Sequence, residues 1–283
     1  MIRMIYYELL KLAAQKKNYI MLGGHLLFLL LCYFTFRAAE HEFFLRFNEA
    51  LEFKLADQTR YLDGFFFARI AMSPTFLVLM PILTATLAGD CVAGEMQSGS
   101  LKLFISRPRS RNRIVLAKFL AVFLVTTVYG IWFGLFNLAF GCLVLGVSPT
   151  QLVIPAIRLF GTQMVVMSVQ AAAVRYLLTL VYFSLAMSSL AAVTLFFSTM
   201  FDRMSSATVL SITLYFVSYV IGALPFSGGV RPWLFSEVLN NSFLVWLSPV
   251  PVQNLLFHLT TLGLYTSVFL VLAALTFNFK DLR

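Results

Sequence analysis

Six long apolar stretches alternate with polar segments along the chain. At about 1.5 Å per residue, roughly 20 apolar residues in a helix cross a hydrocarbon core of about 30 Å. The stretches cover residues 18–36, 70–91, 114–140, 176–200, 206–224 and 254–277. The pattern predicts an all-α polytopic membrane protein with six transmembrane helices, built as a single transmembrane domain over residues 1–283.

The chain begins with a segment of different periodicity, residues 1–17. Polar and basic side chains recur there at a spacing of four, with apolar side chains on the opposite face. The polar stripe is Arg3, Tyr7, Lys11 and Gln15, and the apolar face is Ile2, Ile5, Tyr6, Leu9, Leu10 and Ala13. This pattern favours an amphipathic helix lying on the membrane, with its lysines among the lipid headgroups. An unstructured basic lead-in is the alternative.

Three connecting segments are predicted to lie on the outer side of the membrane protein. Residues 37–69 carry mixed charges without a basic excess, and their i,i+3 and i,i+4 ion pairs favour a helix. Residues 147–175 contain prolines and arginines, which favours an external interfacial segment over a span, although insertion into the membrane stays open. Residues 225–252 mix Pro, Gly and Trp with apolar pairs, as in a re-entrant-like segment that dips into the outer face.

The composition excludes an ordinary soluble domain. The chain is 60% hydrophobic and only 12% charged, whereas soluble domains are about one quarter charged. Its net charge of +9 does not indicate nucleic-acid binding, because basic residues in such proteins mark the cytoplasmic ends of spans. A six-span count places nearly all basic clusters on one side. We therefore expect both termini in the cytoplasm, with the protein in a bacterial inner membrane.

The residues offer little for catalysis or for ion coupling. No G-x-x-x-x-G-K-[ST] loop, metal-ligand cluster or catalytic triad is present, so we expect no enzyme activity and no cofactor in this chain. Carboxylates lie only at span ends or in loops, and His25 and His258 are the ionisable residues well inside spans. A proton-coupled carrier needs such groups on its path, so this mechanism is disfavoured. The predicted packing residues are His25, His258, Cys32, Cys91, Cys142 and the Gly130/Gly134 pair.

The segment of residues 92–113, between the second and third predicted spans, is unusually basic. We expect a short helix from Glu95 to Ile105, carrying apolar side chains and stopped by Pro108. Such a surface helix, acidic at its start and basic past its end, suits docking by a soluble partner. Its basic residues, up to Lys118, are also expected to lie among anionic headgroups as topology determinants.

The same residues resemble a known signature. Gly94-Glu95, Ser98-Gly99-Ser100-Leu101, Ser106-Arg107-Pro108, Ser110-Arg111 and Lys118 are similar to the "GE…GTL…LLSRPVSR…GK" pattern of ABC transporter permeases of the type-2 export family. The chain departs from it at Ser100, Arg109 and Ala117. The resemblance implies that residues 92–113 form a cytoplasmic coupling helix. The implied coupling residues are Glu95, Gly99, Ser100, Leu101, Leu103, Ser106, Arg107 and Pro108.

The resemblance also implies a function and partners. The chain would be the permease subunit of an ABC exporter, forming a homodimer that pairs with two copies of a separate ATPase subunit. That ATPase would bind ATP and magnesium. Two alternatives stay open from the residues alone: a membrane anchor or scaffold that docks a soluble partner, and a secondary carrier or channel. The substrate is not specified by the sequence.

Overall fold

In the computed structural model, the described residues are 1–50, 63–100, 110–153, 165–225 and 227–280; for residues 40–50, 152, 153 and 240 only the backbone is described. The helices are α1 (Ile2–Ala13), α2 (Lys16–Ala50), α3 (Gly64–Gln97), α4 (Arg111–Leu145), α5 (Val169–Met200), α6 (Met204–Ala223), α7 (Phe235–Asn240) and α8 (Val252–Phe279). The strands are β1 (Thr150–Val153) and β2 (Val165–Ser168).

The predicted spans are confirmed. Within the described ranges, six helices are long and apolar enough to cross a membrane: α3, α4, α5, α6, α8 and the first 24 residues of α2. The predicted helical character of the first connecting segment is confirmed as far as Ala50, where α2 ends. The protein is therefore an all-α multi-pass membrane protein.

Two spans begin earlier than the apolar pattern indicated, because capping side chains set their first turns. Asp63 precedes α3, and its carboxylate accepts a hydrogen bond from the Phe66 amide at 3.0 Å. Ser168 caps α5 in the same way through the Ala171 amide. The predicted end of the segment 147–175 was therefore wrong, because its last seven residues belong to the fourth span.

The remaining described part of that segment contains the strands, which were not predicted. β1 and β2 form an antiparallel ribbon with Thr150 opposite Ser168 and Val153 opposite Val165. Gln151 from β1 donates to Asp63 at 2.7 Å, and the Ser148 amide donates to the same carboxylate at 2.7 Å. Asp63 thus joins the start of α3 to the chain between α4 and α5.

The helices α3 and α5 form the centre of the bundle. Their apolar windows are 67% and 72% buried, against 11% for both α2 and α8.

Close packing depends on glycines at crossing points. A Cβ on Gly64 would lie 2.0 Å from the Gly141 carbonyl oxygen, and one on Gly134 would lie 2.2 Å from the Leu180 side chain. The predicted close helix approach along the Gly130/Gly134 face is confirmed at Gly134.

The intramembrane histidines pack as predicted. His25 Nε2 lies 3.0 Å from Asn137 Oδ1, and the imidazole stacks on Phe133 with 4.1 Å between ring centroids. His258 contacts Asn241 at 2.9 Å. The cysteines Cys32, Cys91 and Cys142 are free thiols and not exposed. These contacts hold spans together through polar groups that have partners inside the bundle.

The segment 225–252 packs back onto the spans. It contains 3-10 turns at Arg231–Trp233 and Asn241–Trp246 on either side of α7. Val238 is fully buried, and its carbonyl accepts a hydrogen bond from the Tyr182 hydroxyl at 2.6 Å. No described helix of the segment is among the candidate spans. Its position at the outer membrane face stays a prediction.

Candidate functional site

One end of the bundle carries most of the described charge. There α1, the end of α3 and the start of α4 meet the C-terminal end of α8. Arg111, at the start of α4, donates to the carbonyls of Phe277, Asn278 and Lys280, each at 3.0 Å. Lys280 in turn pairs with Asp202 at 2.8 Å. We call this the basic end; the opposite end contains Asp63 and the β-ribbon.

The basic end has a buried ionic cluster, which we define as Glu8, Lys11, Glu95 and Lys118. The Lys118 ammonium has no solvent exposure and lies 2.6 Å from Glu95 Oε1 and 2.9 Å from Glu8 Oε1. Lys11 also binds Glu95 Oε1. The two carboxylates and two ammonium groups balance in charge. They join three separate helices, α1, α3 and α4.

The cluster forms because α1 packs against α4 with a stripe that includes an acid. Met4, Glu8 and Leu12 recur at a spacing of four and are all buried. Met4 and Leu12 join the main apolar core, so the Glu8 carboxylate between them is carried toward Lys118. The apolar contacts hold α1 in place, and the ion pairs satisfy the charge that this packing buries.

Glu95 is anchored through one oxygen. Its Oε1 accepts from both lysines, whereas its Oε2 is buried and makes no hydrogen bond within the described ranges. A glutamine at this position would keep one accepting oxygen, remove the charge and replace the buried Oε2 by an amide NH2 of similar size. The site therefore offers an isosteric test that separates charge from shape.

A second ion pair lies beside the cluster. Asp90 Oδ2 accepts from Gln15 Nε2 at 2.6 Å and from Lys17 Nζ at 3.2 Å. These groups lie at the junction of α1 and α2, and Asn18 closes this junction by donating to the Leu12 carbonyl at 2.6 Å. Glu95 thus holds α1 to α3, and Asp90 holds the junction of α1 and α2 to the same helix.

The comparisons with known proteins place the chain in a family. A family model described as a protein of unknown function, DUF2705, matches residues 26–283. The chain belongs to the DUF2705 family. No curated protein gives a significant match. The residues matched to DUF2705 include Glu95 and Lys118, whereas Glu8 and Lys11 precede them.

The expected start at Glu95 of the short helix to Ile105 is corrected by the structure of this DUF2705 chain, and residues 101–105 lie outside the described residues. Glu95 does not begin a helix but lies in the last turn of α3, which continues to Gln97. Gly99, at φ +72°, ends that helix, and its amide donates to the Met96 carbonyl at 3.0 Å. Only glycine adopts this left-handed backbone without strain. Ser100 is helical again.

Most of the other predicted coupling residues are not among the described residues. Leu101, Leu103, Ser106, Arg107 and Pro108 fall within 101–109. Gly99 and Ser100 are exposed at the basic end, whereas Glu95 is buried in the ionic cluster. Among the described members of the predicted set, the structure therefore separates one buried anchor, Glu95, from two exposed residues, Gly99 and Ser100.

Two further expectations are corrected. Lys118 does not lie among lipid headgroups, because it is fully buried. The apolar face of α1 is divided as well: Ile5 and Leu9 pack against the core, while Ile2, Tyr6 and Leu10 are exposed. The reason is that α1 lies against the DUF2705 bundle along its Met4/Glu8/Leu12 stripe, so only part of its apolar surface is left for lipid.

Sequence reasoning missed Glu8 as a site residue and placed Lys11 only on a polar stripe among the lipid headgroups. One signal was available for Glu8. An acid with apolar residues four positions before and after it lies on an apolar helical stripe, as Met4, Glu8 and Leu12 do. A buried acid on such a stripe needs a cation, and the sequence does not say which of the 21 basic residues supplies it.

Proposed function

We propose that the chain is the membrane-spanning permease subunit of an ATP-driven ABC exporter. ATP and magnesium are bound by a separate ATPase subunit, and this chain is not itself an enzyme. One observation carries the proposal: the ionic cluster ties Glu95, the first of the implied coupling residues, to α1 and α4 at once. Such a connection suits a subunit that must pass movement from a soluble partner into its spans.

The contacts of the ionic cluster would transmit movement from the partner subunit to the spans. Lys118 lies in the third span, so a displacement at Glu95 reaches α4 through a contact of 2.6 Å. The same carboxylate holds Lys11, so α1 moves with it. Separating these charges inside the protein is costly, which makes the three helix ends move as a unit. Gly99 and Ser100, which follow this anchor, are exposed, and the segment after them is the proposed docking surface.

The orientation is part of the proposal. Basic residues concentrate at the end where α1, α3, α4 and α8 meet, and loops with excess Lys and Arg stay in the cytoplasm. We therefore assign the basic end and both termini to the cytoplasmic side of a bacterial inner membrane. The segment 225–252 then lies on the outer side.

The proposed complex contains two copies of the chain and two ATPase subunits. The spans α2 and α8 are only 11% buried and α6 is 28% buried, so their apolar faces are available to lipid and to a second copy. Movement of the two permeases against each other would open a path to either side in turn. The substrate class is left open.

The experiment is purification of the chain in mild detergent, with an affinity tag at the C terminus because α1 forms part of the cluster. We expect a co-purified subunit that hydrolyses Mg-ATP, a mass corresponding to two copies of each subunit, and no hydrolysis by the chain alone. A co-purified partner without ATPase activity would favour the scaffold alternative. Transport by the chain alone, without ATP, would favour the carrier or channel.

A matched pair of variants tests the coupling segment. Arg107→Ala removes a predicted docking residue, whereas Arg203→Ala removes an exposed arginine from the short connection between α5 and α6. We expect at least about a tenfold weaker ATPase association for the first variant, a loss of about 1.4 kcal/mol, and no change for the second. Equal behaviour of the two variants would contradict a docking role for residues 101–109.

A further inference from the structure

The last part of α3 is not a regular α-helix. Residues Asp90–Gly94 form a π-helical turn directly before Glu95. A π-turn contains one extra residue, leaves backbone groups unpaired and often occurs at functional sites. Buried backbone groups need partners, so something must satisfy this turn.

Ser198 of α5 supplies those partners. Its hydroxyl donates to the Gly89 carbonyl at 2.8 Å and accepts from the amides of Ala93 at 2.9 Å and Val92 at 3.2 Å. A hydroxyl has one hydrogen to donate and two lone pairs, so these three contacts use its full capacity. Ser198 has no solvent exposure.

The position of the hydroxyl explains why the turn is wide. Gly89 and Ala93 are four residues apart, and in an α-helix the Ala93 amide would bond directly to the Gly89 carbonyl. Here the Ser198 oxygen stands between them and binds both. Insertion of a side chain into the i→i−4 ladder is a recognised cause of local helix distortion. Without the hydroxyl, the direct α-helical bond can close.

The wide turn decides which way Glu95 faces. Five residues of α-helix advance by about 500°, which would place Asp90 and Glu95 about 140° apart around the axis. In a π-turn the backbone hydrogen bond joins residues five apart, which brings Asp90 and Glu95 to nearly the same side of the helix. Both carboxylates do face the first part of the chain, Asp90 toward Gln15 and Lys17 and Glu95 toward Lys11.

We infer that Ser198 is a positioning residue: by holding the π-turn at Asp90–Gly94 it sets the side of α3 on which Glu95 and the following segment project. Through it, the fourth span is coupled to the ionic cluster. The positioning role of Ser198 does not depend on the proposed function. Its consequence for transport rests on the proposed function, in which the segment after Glu95 docks the ATPase.

The test measures the rotation of the end of α3 about its axis, which we expect when the π-turn closes to an α-turn. Spin labels are attached at Gln97→Cys and Arg203→Cys, both exposed, in a background with Cys32, Cys91 and Cys142 replaced by alanine. Closing the α-helical bond would rotate the end of α3 by about 100°, which moves a Cα at a radius of about 2.3 Å by about 3.5 Å. We expect Ser198→Ala to shift the label distance by at least about this amount or to add a second distance population. Ser198→Thr, which keeps the hydroxyl, should give the original distance.

Ser189→Ala is the matched control. Ser189 lies on the same helix and is fully buried, and its hydroxyl has no hydrogen-bond partner in the described part of the chain. Its removal should leave the distance unchanged. If Ser198→Ala superimposes on the background, or if Ser189→Ala shifts the distance equally, the inference is wrong.

The same variants separate this inference from the proposed function. In a complex with its ATPase, Ser198→Ala should lower substrate-stimulated hydrolysis at least several-fold, and Ser198→Thr should restore it. A distance shift without any associated ATPase would leave the positioning role of Ser198 intact and remove the exporter proposal. An unchanged distance would remove the positioning role, whatever partner is found.

Discussion

The Lys118 ammonium lies 2.6 Å from the Glu95 carboxylate, and Lys118 has no exposure to solvent. This pair connects the end of the second span to the start of the third, beneath the amphipathic helix that supplies Glu8. A lysine so placed cannot serve as a headgroup contact. Its charge is used inside the protein.

The first prediction concerns this lysine. Lys118→Met keeps the apolar stem of the side chain but removes the ion-pair partner of Glu8 and leaves Glu95 with only the half-exposed Lys11. Removing one partner of a buried ion pair costs about 3–5 kcal/mol of stability. We expect a loss of that size in the free energy of unfolding, measured by denaturant titration in mixed micelles. Lys16→Met, at an exposed position, should change it by less than about 0.5 kcal/mol.

A rescue experiment distinguishes charge from packing at the same site. Adding Glu8→Gln and Glu95→Gln to Lys118→Met removes the uncompensated carboxylates while keeping their shape. Replacing a whole buried ionic group by neutral residues of similar volume is often neutral for stability. We expect the triple variant to recover most of the lost free energy. Failure to recover would show that the uncompensated carboxylates are not the cause of the lost stability.

The second prediction concerns the crossing of α3 and α4. A Cβ on Gly64 would lie 2.0 Å from the backbone oxygen of Gly141, which cannot move aside as a side chain can. Gly64→Ala should therefore destabilise the protein by about 1–3 kcal/mol, as overpacking does. Gly263→Ala is the control, because nothing lies within 4 Å of its Cβ position in α8. That variant should be neutral or stabilise by up to about 1 kcal/mol.

The third prediction concerns the polar link that holds the first span. His25 of α2 contacts Asn137 of α4 at 3.0 Å, and Asn137 donates to Thr75 at 3.4 Å. Hydrogen bonds between membrane helices average about 0.6 kcal/mol and reach about 1.7 kcal/mol. A double-mutant cycle with His25→Ala and Asn137→Ala should give a coupling free energy in this range. A coupling near zero would assign the contribution of His25 to its stacking on Phe133.

The fourth prediction tests the orientation. Gly229 and Arg203 are both exposed, the first in the connection between α6 and α8 and the second in the connection between α5 and α6. With the native cysteines replaced, a cysteine at 229 should react with a membrane-impermeant maleimide in intact cells. A cysteine at 203 should react only after the membrane is permeabilised. The reverse pattern would invert the proposed topology.

The partner of an ionic residue could not be read from the sequence. Glu8, Glu95 and Lys118 are separated by many residues, and any of several basic side chains could have met either acid. The contact depends on which face of α1 packs against α4, which the Met4/Glu8/Leu12 stripe indicates only for α1 itself. The predicted start of the docking helix at Glu95 was wrong for a related reason: Glu95 was read with the residues after it, whereas packing joins it to the helix before it.

The sequence by itself determined that this protein crosses the membrane six times and begins with an amphipathic helix, because those features depend on local apolar runs and on the spacing of side chains along one helix. Only the tertiary structure decided which charges are buried and where α3 widens. The backbone hydrogen bond joins residues four apart in an α-turn and five apart in a π-turn. Here the wider turn is held by Ser198, which comes 105 residues after Ala93 in the chain. A contact between side chains on different helices has no local pattern, so it becomes visible only when the helices are packed together.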